Sequence, residues 1–161
     1  NSNSGAADFV RGEAYAELSL DAAYPELARD FLCSSALREN AGEYVDAGWS
    51  ALYAAWACDD AGKEDQAVEC RGRAARLFLR AREKGSEMME DAGGSELLVA
   101  DVLRRCGRFD EAGEICEEGL RSNPDDLMRK LLEYERELAA GRDTRRHHVG
   151  EVIHPEDQSS R

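Results

Sequence analysis

The stretch GGSELLVADVLRRCGRFDEAGEICEEGLRSNPDD, residues 93–126, constrains the fold more than any other part of the chain. Leu98, Val99, Val102, Leu103 and Cys106 recur at helical spacing, and Gly107 then supplies the permissive backbone on which helices end. After a short turn, Phe109, Ala112, Ile115, Cys116 and Leu120 mark a second apolar face, with Asp110 and Glu111 in the first turn where the helix dipole favours negative charge. So short a connection forces the two helices to pack antiparallel. Small residues stand where backbones must approach: Ala100 in the first helix, Ala112 and Gly119 in the second. Asn123-Pro124-Asp125-Asp126 opens a further helix, with Asn123 expected as N-cap and Pro124 at the first helical position.

The turn glycine Gly107, the aromatic Phe109 two residues on, the small Ala112 and Gly119 and the closing Pro124 stand together at a spacing similar to that of a tetratricopeptide (TPR) repeat. The first helix departs from the pattern, with Glu96 where the family usually carries a large aromatic and Leu103 where it usually carries Tyr. The resemblance implies an all-α fold, a right-handed α-α superhelix of helical hairpins closed by a C-terminal capping helix. It also implies that the first helix of each pair lines a concave face. There the chain offers Ser50, Ala54, Leu97 and Asp101, without the Lys, Asn and Arg set with which some family members clamp an acidic chaperone C-terminus. The third helix, the long fourth helix and the final repeat also resemble the helical portion of an uncharacterised prokaryotic family. In that family a cysteine-bearing segment, which this sequence does not contain, precedes TPR-like helices.

The same punctuation organises the rest of the chain. A helix is expected from Ala6 to about Leu20 and a second from Pro25 to about Asn40, the latter with Leu27, Ala28, Phe31, Leu32 and Ala36 turned inward. The third, Glu43 to Ala61, is the most aromatic, with Tyr44, Trp49, Tyr53 and Trp56 among the small residues Gly48, Ala51, Ala55 and Ala57. Gly62-Lys63-Glu64-Asp65-Gln66-Ala67 echoes Gly107-Arg108-Phe109-Asp110-Glu111-Ala112, with glycine and alanine in register, so Gly62 and Ala67 define a second copy of the repeat. The offset, 107 minus 62, is 45 residues, longer than the roughly 34 of the family. The extra length falls in the fourth helix, expected to run from Lys63 to Lys84 or Met89 before Gly93-Gly94. The expected organisation is one repeat domain, 1–141, with hairpins at 6–40, 43–90 and 95–121 and a capping helix at 125–140 that buries Leu127, Met128, Leu131, Leu132 and Leu138. Residues 142–161 read as a mobile tail.

Charge narrows the choice of partner. The chain of 161 residues has a formal net charge of -13; from Arg142 onward four arginines balance four acids, so residues 1–141 carry the whole excess. Such a surface repels nucleic-acid phosphate and anionic lipid and attracts basic partners. There is no signal-peptide core and no long apolar run, so a cytoplasmic protein is expected, away from membranes. Cys33, Cys58, Cys70, Cys106 and Cys116 are odd in number, form no C-x-x-C pair and fall within helices, which fits small core residues in a reducing compartment.

These observations favour a non-catalytic scaffold that binds a peptide or helix in a groove lined by Tyr44, Trp49, Tyr53, Trp56 and Asp101. Trp49 and Trp56 have an alternative role as core between repeats, which leaves the tyrosines as the better contact residues. No catalytic motif is present and no cofactor or metal is expected. His147, His148 and His154 could share a metal, or serve an enzyme, only if the tail folded back; solvated histidines are the simpler reading. A homodimer through outer helix faces is the other alternative. The basic run Arg71, Arg73, Arg76, Arg80, Arg82 and Lys84 reads as a solvated face paired with nearby acids, Glu69 and Glu83 among them.

Overall fold

In a computed structural model of the chain, residues 21–153 are described together with Gly12, Tyr15, Glu17 and Leu18. Most of the helix expected over Ala6 to Leu20, in which the described Tyr15, Glu17 and Leu18 are helical, and the last histidine, His154, lie outside the described residues. Every regular element among the described residues is helical: α1 (Glu26–Asn40), α2 (Tyr44–Asp60), α3 (Glu64–Glu83), α4 (Gly94–Arg105), α5 (Phe109–Arg121), α6 (Asp126–Ala140) and α7 (Val149–Ile153). None of these helices is long and apolar enough to cross a membrane. The chain divides into two compact units, residues 1–87 and 88–161.

One local device closes α1, α2 and α4. Gly42, Gly62 and Gly107 each adopt positive φ, 78°, 70° and 86°, and the next residue donates its N–H back to a carbonyl in the last turn: Glu43 to Arg38, Lys63 to Cys58, Arg108 to Leu103. This is the hydrogen-bond pattern of a Schellman motif, and only glycine enters the left-handed region without strain. Five residues after each glycine comes a buried alanine, Ala47, Ala67 or Ala112, which lets the new helix start close against the old one. The copy at Gly42 is a third occurrence of the joint recognised in the sequence at Gly62 and Gly107. Two joints in succession leave α2 packed against both α1 and α3.

Unit 1 is therefore built around a helix buried on two sides. Its inward positions are nearly all small: Ala47, Gly48, Ser50, Ala51, Ala54, Ala55 and Ala57, with only Leu52 and Cys58 larger. The backbones approach closely enough that a Cβ on Gly48 would lie 2.5 Å from the Phe78 ring of α3. Polar ties complete the unit. Ser35 Oγ donates to Ala47 O at 2.8 Å, and Arg76 of α3 grips Glu39 of α1 with two bonds of 2.7 and 3.1 Å. Arg71, placed by the sequence on the solvated basic face, is instead buried and paired with Asp59 at 3.1 and 2.5 Å, because its turn of α3 packs against α2. Leu27, which periodicity puts inside, is 58% exposed. The helix α3 ends at Glu83, earlier than the furthest expectation, since Gly85 turns left-handed and Ser86 donates to Ala81.

Unit 2 packs α4, α5 and α6 against one another around Val99, Val102, Leu103, Ile115, Cys116 and Leu132. Gly119 admits Leu132: a Cβ there would stand 2.9 Å from its side chain. The start of α6 differs from expectation. Asp125, not Asn123, is the N-cap, its carboxylate accepting from Met128 N–H at 2.7 Å. Asn123 takes a left-handed φ of 58° after α5, a role asparagine tolerates, and Pro124 is buried just ahead of the helix. Leu127, expected inside, is 47% exposed.

The segment after Gly141, read from sequence as a tail, is tied to this unit through residue 153. Arg104 of α4 is fully buried. It donates from Nε to Glu135 of α6 at 2.6 Å and from Nη2 to Asp101 at 3.0 Å, while Nη1 reaches the carbonyls of Asp143 and Arg145 at 2.6 and 2.8 Å. A buried guanidinium must have its donors satisfied, and backbone carbonyls of the following segment supply two of the acceptors. Beyond them His147 sits edge-on to Tyr134, its ring nitrogens 2.7 Å from Glu151 and 2.9 Å from Asp143.

Two outcomes are expected. Arg104→Met strands Glu135 and costs about 3–5 kcal/mol, read as a lower urea midpoint together with faster proteolysis after Gly141; parental stability and protection would contradict the latch. Burial, reinforced by Asp101, pushes Glu135 up to about 7 against the opposing pull of Arg104. Between its unfolded value near 4.5 and about 7 the native state holds a proton that the unfolded state has lost. Glu135 therefore makes stability fall as pH rises through that window. Asp143 and Glu151, both lowered, contribute stability present above their unfolded values and lost only in stronger acid. Unfolding measured at pH 5 and pH 7 should show a smaller fall for Glu135→Gln than for the parent, and equal falls would contradict the assignment.

Candidate interaction surface

Along α2, Asp46, Trp49, Tyr53, Trp56 and Asp60 recur at steps of three and four and so share one helix face. Three of the rings belong to a continuous array. Phe78, fully buried on α3, meets Trp49 edge-on with centroids 5.8 Å apart. Trp49 lies 6.0 Å from Tyr53, and Tyr53 lies 5.5 Å from Phe31 of α1 and 5.4 Å from Trp56. The array climbs from core to solvent: Trp49 is half-buried, Tyr53 is 39% exposed and Trp56 is 45% exposed. Trp56 is therefore a surface ring, not core between repeats. Tilted and edge-on pairs at these separations are the favoured aromatic geometries, so the exposed rings rest on a fixed base.

Of the other expected groove residues, Tyr44 stands apart from it. Tyr44, roughly two and a half turns before Tyr53, lies on the opposite side of α2, where the Arg80 guanidinium covers its ring at 5.6 Å. Asp101 belongs to unit 2 and is held by Arg104. Among the repeat-defining residues, Gly62 and Gly107 turn the chain and Ala67, Ala112 and Gly119 fill close contacts. Phe109 is half-buried under Arg142, 5.5 Å above its ring. Of the basic run, Arg76 and Arg80 pair with Glu39 and Glu83 as a solvated face would.

Asp60 is a feature that the spacing alone conceals. As the last residue of α2 it places a negative charge where the helix dipole disfavours one, and no basic residue lies in that last turn. Asp59 beside it is neutralised by Arg71, and Asp46 at the other end of the stripe lies 3.5 Å from Arg38. Asp60 remains an exposed carboxylate one turn from Trp56.

Unit 2 offers an open cleft of about 480 Å³ between α5 and the end of α6. Asp110, Glu114 and Glu117 line it from α5 and Arg136 and Arg142 from the other side, so its walls largely neutralise each other. Among the described residues no group of three or more His, Cys, Asp and Glu side chains could hold a metal ion. The carboxylates of Glu151 and Asp143 lie within hydrogen-bond distance of the His147 ring nitrogens, and Glu151 is held down at about 2 chiefly by its bond to His147. None of the five cysteines forms a disulfide, four of them are buried, and burial raises their thiols, Cys116 to about 12, which disfavours the thiolate form. Compared with family models, with curated proteins and with solved structures, the chain gives no match, so its geometry alone must carry the functional reading.

The array depends on the missing side chain at Gly48. Gly48→Ala drives a methyl into the Phe78 ring, tilts Trp49 and destabilises unit 1 by about 1–3 kcal/mol, measured by urea unfolding followed through tryptophan emission. An unchanged midpoint would show that α2 and α3 are not in the close contact described.

Proposed function

We propose that the protein is a non-catalytic interaction module that holds a peptide or helix of a partner protein against the aromatic face of α2. The observation that carries this reading is the exposure of Tyr53 and Trp56 on top of rings fixed to the core. Large aromatics are the residues whose burial dominates interface energies, commonly about 2 kcal/mol or more at the centre of a contact. Rings already held by Phe78, Trp49 and Phe31 lose little further freedom on binding. The net charge of -13 steers basic partners toward the surface.

The repeated glycine-to-alanine joint supports a tetratricopeptide-like reading of the hairpins, and right-handed superhelical winding and a cytoplasmic setting belong to the same proposal. The proposed surface differs from the anticipated groove, because it gathers Trp49, Tyr53 and Trp56 without Tyr44.

A random peptide library displayed on phage and panned against the intact chain tests the reading. Enrichment of a common motif on the parent, lost on a Tyr53→Ala/Trp56→Ala variant of unchanged helicity, is expected. Equal enrichment on both would move the partner site away from α2, and concentration-dependent sedimentation of the parent alone would mean that a second copy occupies the face.

A further inference from the structure

We propose that the Trp56 end of this surface receives an arginine side chain of the partner, its guanidinium stacked on the exposed rings and hydrogen-bonded to Asp60. The inference rests on the aromatic face being an interaction surface and goes on to name what it recognises.

Two rings of the chain already carry a guanidinium. Tyr44 and Phe109, both half-buried, each carry an arginine guanidinium, at 5.6 and 5.5 Å. Tyr53 and Trp56 are more open to solvent than either, and among the described residues no cation stands over them. The carboxylates nearby point to where a cation would come from. At one end of the stripe Arg38 already neutralises Asp46, and Arg71 occupies Asp59. Asp60, one turn beyond Trp56, stands exposed at the C-terminal end of the helix, where the dipole is negative. A cation placed there satisfies the ring face and the carboxylate together.

Arginine fits these groups better than lysine. A planar guanidinium lies flat on an indole or phenol while its edge N–H groups still reach a carboxylate, whereas an ammonium is a strongly hydrated point charge that must choose between them.

Both tryptophans of the chain belong to the array, so the two indole N–H signals of the ¹⁵N-labelled full chain report on it directly, assigned with Trp49→Phe. The probes are end-blocked, glycine-rich nonapeptides carrying one central arginine, lysine, citrulline or leucine. The arginine peptide should shift the Trp56 signal in a saturable way, with an affinity at least about fivefold above the lysine and citrulline peptides. Asp60→Asn, a change at an exposed helix end, should weaken the arginine peptide by a similar factor and leave the leucine peptide unchanged, with Asp60→Glu restoring most of the preference. If leucine or citrulline binds as well as arginine, or Asp60→Asn has no effect, the arginine assignment is overturned while the interaction surface stands. If no probe moves the Trp56 signal, both readings fail. Movement of that signal with protein concentration alone would give the place to a second copy and also overturn the arginine assignment.

Discussion

The contact between the Phe78 ring and the bare backbone at Gly48 is the constraint on which the surface of unit 1 depends. An aromatic ring can lie against a helix backbone only where no side chain intervenes, and Gly48 supplies that gap. The same demand for closeness runs along α2, whose buried positions are almost all alanine, glycine or serine because two neighbouring helices press on it. Small residues fill little space, so most of the large apolar volume of α2 sits on its remaining stripe. Phe78 then anchors Trp49, Trp49 anchors Tyr53, and the last ring emerges into water. Packing accounts for the inner half of the array. It does not account for Trp56, whose exposed ring contributes little to the core and much to a contact surface.

Unit 2 is organised by a different force. Its centre holds Arg104 bonded to Glu135, and the desolvation of both groups makes such a pair a weak source of stability. What the pair provides is placement. The guanidinium has more donors than Glu135 and Asp101 accept, and the carbonyls of Asp143 and Arg145 accept two more, which ties the backbone after α6 to α4. Tyr134, His147 and Glu151 extend the network to α7.

Much of the helix pattern was legible because the devices that end helices are local. A glycine followed five residues later by alanine announces a joint wherever it occurs, and at Gly62 and Gly107 the sequence read it correctly. At Gly42 the same spacing recurs, with Ala47 five residues on. The cap at Asp125 was misassigned to Asn123 because both residues accept hydrogen bonds, and only the left-handed φ of Asn123 separates their roles. Periodicity placed Leu27 and Leu127 on apolar faces without revealing that those faces extend past the packed helices. For the site, spacing alone puts Trp49, Tyr53 and Trp56 together, yet it could not say which stripe of a helix buried on two sides faces water. Asp60 carried a readable signal, a negative charge at the C-terminal end of a helix. Arg104 gave no signal, since its partner lies 31 residues away and two of its acceptors are backbone carbonyls.

The central claim is that one end of the aromatic array faces solvent while the other is fixed in the core. Acrylamide quenching of the two single-tryptophan variants, Trp49→Phe and Trp56→Phe, tests it most directly. Trp56, left alone, should emit at longer wavelength and be quenched markedly more than Trp49. Equal quenching of the two, or a more accessible Trp49, would contradict the orientation of α2 on which the interaction surface rests.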